Sequence, residues 1–235
     1  MAGQITGADA VLNALLSKEN IEMVLVDREK NTSEIRRLCQ EQNIPLEEGS
    51  TNDLWRMSAN GHADALALVG RSPFGDLEQV LKRGGTIWFF DGVTYSTNLG
   101  FAIRTAEVSG ANAVVLNVSK THEERRTIRR SSMRADRFIP VVYSTTDEIL
   151  EAVSKAKIRL ITVEDTGTHE PWEEDLSGDV MLVVGAEKEG ISEQVLAAAD
   201  ACVVLPMDGF VPSYNLQVAV SVVALEALRQ RNLQT

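Results

Sequence analysis

The chain has 235 residues, of which 44% are hydrophobic, and its formal net charge is −11. This length allows one large domain or two small ones, and no run reaches the roughly 18 apolar residues of a membrane-spanning helix. The first residues lack the basic and apolar regions of a signal peptide, and the two cysteines and three histidines have no metal-ligand spacing. We therefore expect a cytoplasmic protein without a metal site.

The first 70 residues alternate helical and extended patterns, as expected of a small three-layer α/β domain. Helices are predicted over residues 8–16, 31–42 and 53–57, and strands over residues 21–26, 44–46 and 65–69. His62 is expected in an ordinary loop. Turn-forming residues from Arg71 to Gly75 then indicate a boundary, and a short helical piece as far as Lys82 follows them. We predict a domain over residues 1–72, a linker over residues 73–85 and a second domain over residues 86–235.

The second domain alternates strands and helices throughout, which predicts a mainly parallel sheet covered on both faces. The strands are predicted over residues 86–90, 113–118, 139–143, 158–163, 180–184 and 202–205. The helices are predicted over residues 98–109, 123–135, 146–156, 192–199 and 213–231. Ligands of such sheets bind beyond the carboxyl ends of the strands. The loops after Phe90, Val184 and Leu205 are therefore the places to look for a site.

The first of these loops leads into a helix that contains two candidate functional residues. Asn98 lies at a strand-to-helix junction, where free backbone N–H groups accumulate. Arg104 follows six residues later, which is nearly two helical turns of about 3.6 residues each. Both side chains can therefore point towards the same end of the strand. Equally, Asn98 can be a helix cap and Arg104 a solvated helix residue.

The second loop, Gly185 to Ser192, has the glycine spacing of a phosphate-binding P-loop. Ile191 stands where that motif requires lysine, so the P-loop interpretation fails. No dinucleotide-binding G-x-G-x-x-G pattern follows any predicted strand. The remaining interpretations are a tight turn that presents backbone N–H groups and Glu187 to a ligand, or a plain turn with a solvated glutamate.

The third loop, Leu205 to Leu216, contains two prolines and a glycine, and Ser213 or Asn215 is expected to cap the helix that follows. Residues 218–228 of that helix are apolar on almost every side. Such a helix is expected to be buried. A second copy of the protein can bury the apolar face that the chain's own core does not cover.

The segment from Lys120 to Arg137 is basic within an acidic chain. Seven basic residues stand against three acidic ones, a local balance of +4 that leaves −15 for the remainder. Arginine forks suit phosphate groups, so the segment predicts either an RNA-facing patch or a solvated helix face. The candidate RNA-binding residues are Arg125, Arg126, Arg129, Arg130 and Arg134.

Three segments, in this order and spacing, resemble the motifs of the SpoU class of RNA ribose 2′-O-methyltransferases, in the SPOUT superfamily. They are NLGFAIRTA, VVGAEKEGIS and LPMDGFVPSYNLQVAV, and the resemblance covers residues 86–231. The preceding domain, from ITGADAVLNALL to SANGHADALALV, resembles the L30e-like RNA-binding domain of ribosomal-RNA guanosine methyltransferases. The resemblance implies an α/β protein with a parallel SPOUT sheet and a C-terminal trefoil knot, which general topology rules would not predict.

The resemblance also implies a cofactor, a reaction and a set of site residues. S-adenosylmethionine would bind Gly185, Ala186, Leu205, Met207 and Tyr214. The functional polar residues would be Asn98, Arg104, Glu187, Ser213 and Asn215. A guanidinium is effectively always protonated, so we expect Arg104 to hold an RNA phosphate and to stabilise the developing alkoxide. The partners would be RNA, with 23S ribosomal RNA favoured over transfer RNA, and a second copy of the chain, with no membrane and no metal.

The sequence departs from the family pattern at several positions. Tyr95 and Ser96 replace the usual Asp-Pro pair, Tyr214 replaces a leucine, and Arg134 replaces the glycine of a Ser-x-Gly-Ala element. The proposed polar atoms are all retained, which favours an enzyme. The alternatives are a non-catalytic RNA-binding homologue, a transfer-RNA methyltransferase, or a methyltransferase that protects the ribosome from an antibiotic.

Overall fold

The computed structural model describes residues 3–59, 61 and 63–234, so His62 lies outside the described residues. The chain divides into two compact units, Met1–Phe74 and Gly75–Thr235. None of the helices in these described ranges is both long and apolar enough to cross a membrane.

The N-terminal unit is a four-stranded sheet with helices packed against it. Its strands are β1 (Gly3–Thr6), β2 (Ile21–Asp27), β3 (Leu46–Gly49) and β4 (Ala65–Val69), and its helices are α1 (Ala8–Leu16), α2 (Ser33–Gln42) and α3 (Thr51–Met57). The strand order is β1-β4-β2-β3. Strand β2 runs parallel to β3 and antiparallel to β4. The prediction missed β1, which pairs antiparallel with β4, because four residues with little apolar alternation give no strand pattern.

The C-terminal unit contains a six-stranded sheet in which every pair is parallel. Its strands are β5 (Thr86–Asp91), β6 (Ala113–Leu116), β7 (Val141–Tyr143), β8 (Arg159–Val163), β9 (Val180–Gly185) and β10 (Ala201–Val203). Its helices are α4 (Leu77–Arg83), α5 (Ser96–Val108), α6 (His122–Ser131), α7 (Thr146–Ala156), α8 (Glu193–Ala198) and α9 (Leu216–Leu233). The strand order is β10-β8-β9-β5-β6-β7. The predicted parallel α/β sheet is therefore confirmed.

Helices cover both faces of this sheet because the central strands are apolar on both sides. Trp88 and Phe90 of β5 join one core with residues of α5, α6 and α9. Ile87 and Phe89 alternate with them and join a second core with residues of α4, α7 and α8. Since successive side chains of a strand point to opposite faces, this pattern fixes β5 in the middle of the sheet.

The segment predicted as a linker, in which a short helical piece as far as Lys82 was expected, contains helix α4. Asp76 caps α4 through a capping box with Gln79, and the buried Val80 and Leu81 belong to the second core. The compact C-terminal unit thus begins at Gly75, because this short apolar pair has a sheet face to pack against.

Several other helix ends differ from the prediction, and two of them lie next to candidate residues. Helix α6 ends at Ser131 rather than residue 135, since Met133 and Arg134 have φ values of 54° and 69°, outside the helical region. Helix α9 begins at Leu216 rather than residue 213, because Asn215 caps it by accepting a hydrogen bond from the Gln217 N–H.

Candidate functional site

The candidate loops meet at the carboxyl end of the sheet. Asp91, the last residue of β5, pairs in register with Gly185, the last residue of β9. The loop that enters α5 and the loop that follows β9 therefore start side by side, although they are far apart in sequence.

Asn98 and Glu187 join these two loops. The Asn98 Nδ2 atom donates a hydrogen bond of 2.8 Å to Glu187 Oε1. Tyr95 holds the cap position of α5 without a side-chain cap bond, so Asn98 lies in the first turn rather than at the cap. The structure thus brings together two of the predicted polar residues.

Arg104 lies nearly two turns beyond Asn98 on the exposed surface of α5. Among the described residues, its guanidinium has no hydrogen-bond or ion-pair partner. It takes no part in the Asn98–Glu187 hydrogen bond. Its charge is therefore available to a ligand that approaches along α5.

Residues 186–190 form a tight hairpin. Ala186 and Gly190 exchange backbone hydrogen bonds of 3.1 and 2.9 Å, with each N–H donating to the other carbonyl. Gly190 has a φ of 69°, and a Cβ atom on Gly185 would lie 2.1 Å from the Gly190 carbonyl carbon. Both glycines are thus required by this turn, which presents Glu187, Lys188 and Glu189 at its apex.

A cleft of about 540 Å³ lies between this hairpin and the loop that precedes α9. Its size is in the range of small-molecule sites. It is lined by every predicted cofactor-binding residue and by three of the predicted polar residues, namely Gly185, Ala186, Leu205, Met207, Tyr214, Glu187, Ser213 and Asn215. The Tyr214 hydroxyl donates to the Pro206 carbonyl at 2.9 Å, which closes the loop on itself. The Oδ1 atom of Asn215 accepts the hydrogen bond from the Gln217 N–H that caps α9.

Two acidic residues of the cleft were missed by the sequence analysis. Glu164 and Asp165 follow β8 and line the cleft. Burial raises the pKa of Glu164, the charge of Asp165 raises it further, and a hydrogen bond from the Ile191 N–H opposes both. Their position at the end of a parallel strand was the signal that could have revealed them.

Asp91 was also missed as a functional residue, and it holds the loops in place. Its side chain is 3% exposed, and its two carboxylate oxygens accept hydrogen bonds from the Ser192 N–H at 2.8 Å and from Asn117 Nδ2 at 2.6 Å. Asn117 in turn accepts a bond from the Gly92 N–H. This network ties the start of the α5 loop to the end of the hairpin.

Lys120 belongs to the basic segment but points inwards. It is 5% exposed, and its Nζ atom donates to the carbonyls of Val93 and Thr94 at 2.9 and 3.0 Å. Burial lowers the pKa of Lys120, while the charges of Glu124 and Glu187 counteract that shift. Lys120 therefore supports the loop that leads to Asn98, and it is not a surface contact for RNA.

The predicted RNA-binding arginines lie on and after α6. Arg125, Arg126, Arg129 and Arg130 are exposed, and Arg134 is half-buried. Arg125 donates to the Lys120 carbonyl at 3.0 Å, and its guanidinium lies 5.0 Å from the centre of the Tyr143 ring. Arg129 lies 3.6 Å from the Asp136 carboxylate. Within the described ranges, no group of three or more His, Cys, Asp or Glu side chains is placed to hold a metal ion.

Comparison with known proteins places these features in a family. Residues 85–225 match the model of the SpoU rRNA Methylase family. The chain is 30% identical over 204 residues to the 23S rRNA (guanosine-2′-O-)-methyltransferase RlmB of Pseudomonas putida, an alignment that covers 84% of this chain and 82% of that protein.

Two solved structures have a similar fold. A crystal structure of an RNA 2′-O ribose methyltransferase is 25% identical, with a TM-score of 0.60 and coverage of 98% of this chain and 89% of that one. The SpoU methyltransferase AviRb from Streptomyces viridochromogenes, in complex with the cofactor AdoMet, is 21% identical, with a TM-score of 0.61 and coverage of 99% and 91%.

Proposed function

We propose that 23S ribosomal RNA is the substrate of this chain, which belongs to the SpoU rRNA methylase family. The chain is thus an RNA ribose 2′-O-methyltransferase that uses S-adenosylmethionine. The similarity to RlmB over most of both chains supports this substrate. The structural observation that supports the transferase activity is the Asn98–Glu187 hydrogen bond, because it joins the first motif to a residue that lines the cleft.

The chemistry of the cleft fits the cofactor. Gly185 has no space for a Cβ atom, so the backbone of the hairpin can lie directly against a ligand. The apolar residues Leu205 and Met207 suit an adenine ring, and the carboxylates of Glu164 and Asp165 suit the positive charges of the cofactor. When bound, the cofactor supplies a methyl group on a cationic sulfur, which becomes a neutral thioether as the ribose oxygen bonds the methyl carbon and releases its proton to water.

We assign the polar residues to positioning and to charge stabilisation. Asn98 and Glu187 fix each other, which holds the α5 loop against the hairpin. Arg104 holds an RNA phosphate and stabilises the developing alkoxide, since a protonated guanidinium cannot accept the hydroxyl proton. Ser213 and Asn215 act from the loop on the far side of the cleft. Positioning of this kind supplies much of the rate of a two-substrate reaction.

The exposed arginines of α6 form the RNA-binding surface in this proposal. The surface carries positive charge in a chain whose total charge is −11, and binding to phosphates through such residues releases counterions. Arg126 and Arg130 contribute most, since the other two exposed arginines of α6 also contact Lys120, Tyr143 or Asp136.

A homodimer through α9 is a further part of the proposal. The helix buries Val220, Val223 and Ala227 in the core but leaves Val218, Val222 and Leu225 exposed. An exposed apolar stripe of this kind marks an interaction surface. Sedimentation of Leu225→Glu should show a monomer if this stripe is the interface, and an unchanged dimer would place the interface elsewhere.

We further propose an L30e-like RNA-binding role for the N-terminal unit, a trefoil knot in the C-terminal unit, and action in the cytoplasm. The mixed sheet with three helices supports the first assignment. For the knot, support comes from the insertion of β9 between β8 and β5 and from the return of α9 to pack against α5. Bound ribosomal RNA should protect backbone amides of the N-terminal unit from hydrogen exchange. An experimental structure in which the backbone of the C-terminal unit forms no knot would exclude the knot.

Calorimetric titration tests the cofactor part of this function. The purified protein should bind S-adenosylmethionine saturably and should not bind NAD, because no dinucleotide motif is present. A folded protein that binds neither would contradict the proposed cleft. Parallel transfer assays with transcribed 23S ribosomal RNA and with transfer RNA then decide the substrate.

A further inference from the structure

A second cleft, of about 390 Å³, shares the hairpin with the cofactor cleft. Ala186, Glu187, Lys188 and Gly190 line both. A group bound in the second cleft therefore lies against the same four residues as the cofactor. The two clefts are therefore neighbours on one hairpin, as the sites of two reacting molecules must be.

The remaining wall of the second cleft comes from the loop after β5. Tyr95 lines it and is 52% exposed, and this residue stands where the family pattern has aspartate. The Tyr95 side chain makes no capping hydrogen bond to α5. Glu187 and Glu189, also in the lining, repel phosphate but accept hydrogen bonds from ribose hydroxyls and from the N–H groups of bases. An exposed aromatic ring beside such acceptors suits a nucleoside, with its phosphates held outside.

The RNA-binding surface begins beside this cleft. Lys120 holds the Thr94 carbonyl, Thr94 lines the cleft, and Arg125 at the start of the cationic helix donates to the Lys120 carbonyl. Phosphates held by α6 would therefore bring the adjoining ribose towards the second cleft.

From these contacts, and resting on the proposed function, we infer that Tyr95, in the second cleft, stacks on the base of the nucleotide to be methylated. The nucleotide leaves its stack in the RNA, and its base lies against the Tyr95 ring. Enzymes that modify a base extrude its nucleotide from the stack into a pocket, and a similar movement would let the base of this nucleotide reach the Tyr95 ring. Tyr95 is then a residue that binds substrate, which the aspartate of the family pattern could not do by stacking.

Steady-state kinetics of Tyr95 variants test the inference with the full-length protein, S-adenosylmethionine and transcribed 23S ribosomal RNA. Tyr95→Ala should raise the KM for RNA at least about fivefold, the lower end of the range for loss of one base stack. Tyr95→Phe should stay close to wild type because it keeps the ring. Trp172→Ala is the matched control, since Trp172 is a similarly exposed aromatic residue of the same unit that lines neither cleft. An unchanged KM in Tyr95→Ala, or an equal loss in Tyr95→Phe, would overturn the stacking role.

A second measurement does not depend on turnover, so it separates this inference from the proposed substrate. The cofactor cleft is first saturated with S-adenosylhomocysteine, and nucleoside 5′-monophosphates are then titrated while backbone amide resonances are recorded. The amides of Gly92, Thr94, Tyr95 and Glu189 should shift, and the Tyr95→Ala protein should show weaker shifts. Absence of any shift in these residues would overturn the inference even if methyl transfer to 23S ribosomal RNA is observed. Shifts with no transfer would support the cleft and contradict only the proposed RNA.

Discussion

Asn98 and Glu187 lie 89 positions apart in sequence and 2.8 Å apart in space. The sequence predicted both as site residues, but their direct contact depends on the pairing of β5 with β9. The buried polar residues beneath them, Asp91 and Lys120, were not predicted to support the site. Buried polar groups must find partners, yet a sequence does not show which polar residues will be buried.

Replacement of Arg104 tests its assigned role. Arg104→Ala should lower kcat at least about 100-fold, the usual effect of removing one group that stabilises transition-state charge. The Kd for S-adenosylmethionine should not change, because Arg104 does not line the cofactor cleft. Arg104→Lys should recover part of the activity, since it keeps the charge and loses the planar fork. Weaker cofactor binding in Arg104→Ala would show that its role was assigned wrongly.

Lys120 is predicted to position the α5 loop. Lys120→Met fills the same space but leaves the Val93 and Thr94 carbonyls without their donor. The buried Val93 carbonyl would then cost about 1–3 kcal/mol of stability, whereas water can reach Thr94, which is exposed. The kcat should fall because the loop leads to Asn98. The Kd for S-adenosylmethionine should stay unchanged, since Lys120 lies outside that cleft. Lys155→Met, on the exposed surface of α7, is the control. A wild-type kcat in Lys120→Met would exclude the positioning role.

At the scale of the element, the close approach of α5 to α6 depends on Gly100. A Cβ atom at this position would lie 2.7 Å from the Ile128 carbonyl oxygen and 1.9 Å from Ser131 Oγ. Because Ile128 O is a backbone atom, relief would require movement of α6 itself. The glycine therefore allows the RNA-binding helix to pack against the helix that carries Asn98 and Arg104.

Gly100→Ala should destabilise the C-terminal unit, and denaturant unfolding measures the change. Overpacking costs about 1–3 kcal/mol, against a gain of about 1 kcal/mol in helix propensity. Gly178→Ala is the matched control, because a Cβ atom there meets nothing within 4 Å. If Gly100→Ala is as stable as wild type, the two helices are free to separate without cost.

Helix α6 should dominate the salt dependence of RNA binding. The double variant Arg126→Ala and Arg130→Ala removes two exposed guanidiniums, so the slope of log K against log salt should become less steep by roughly 1.4–1.8. A double variant of Lys82 and Lys155, on α4 and α7, removes the same charge from the opposite face of the sheet. Equal slopes for the two double variants would make α6 an ordinary solvated helix.

The order and type of most elements could be predicted, because apolar strands alternate with amphipathic helices across the C-terminal unit. Element ends were harder, since they depend on single residues. Helix α6 stops early at the positive φ values of Met133 and Arg134. The short helix α4 was expected within the linker, but its packing into the C-terminal core was not, because Val80 and Leu81 are too few to form a pattern. Family resemblance identified Asn98, Glu187 and the cofactor loops, whereas Glu164 and Asp91 emerged only once the strand ends were placed in space.

At the scale of the whole molecule, a protein with a net negative charge would bind RNA, which is also negatively charged. The remainder of the chain carries −15 against +4 for residues 120–137, so RNA should approach through one surface and be repelled by much of the rest. That surface adjoins the second cleft through Lys120, and the second cleft adjoins the cofactor cleft through the hairpin. The charge distribution and the two clefts therefore define one path from RNA phosphate to the methyl group.

The most direct test of this account is the transfer of a labelled methyl group from S-adenosylmethionine to unmodified, transcribed 23S ribosomal RNA, followed by digestion to nucleosides. We predict label in a single 2′-O-methylnucleoside, and labelling at least about 100-fold slower when Arg104→Ala replaces the wild-type protein. Label on a base, or no label in any RNA from a protein that binds the cofactor, would contradict the assignment of a ribose 2′-hydroxyl as the methyl acceptor.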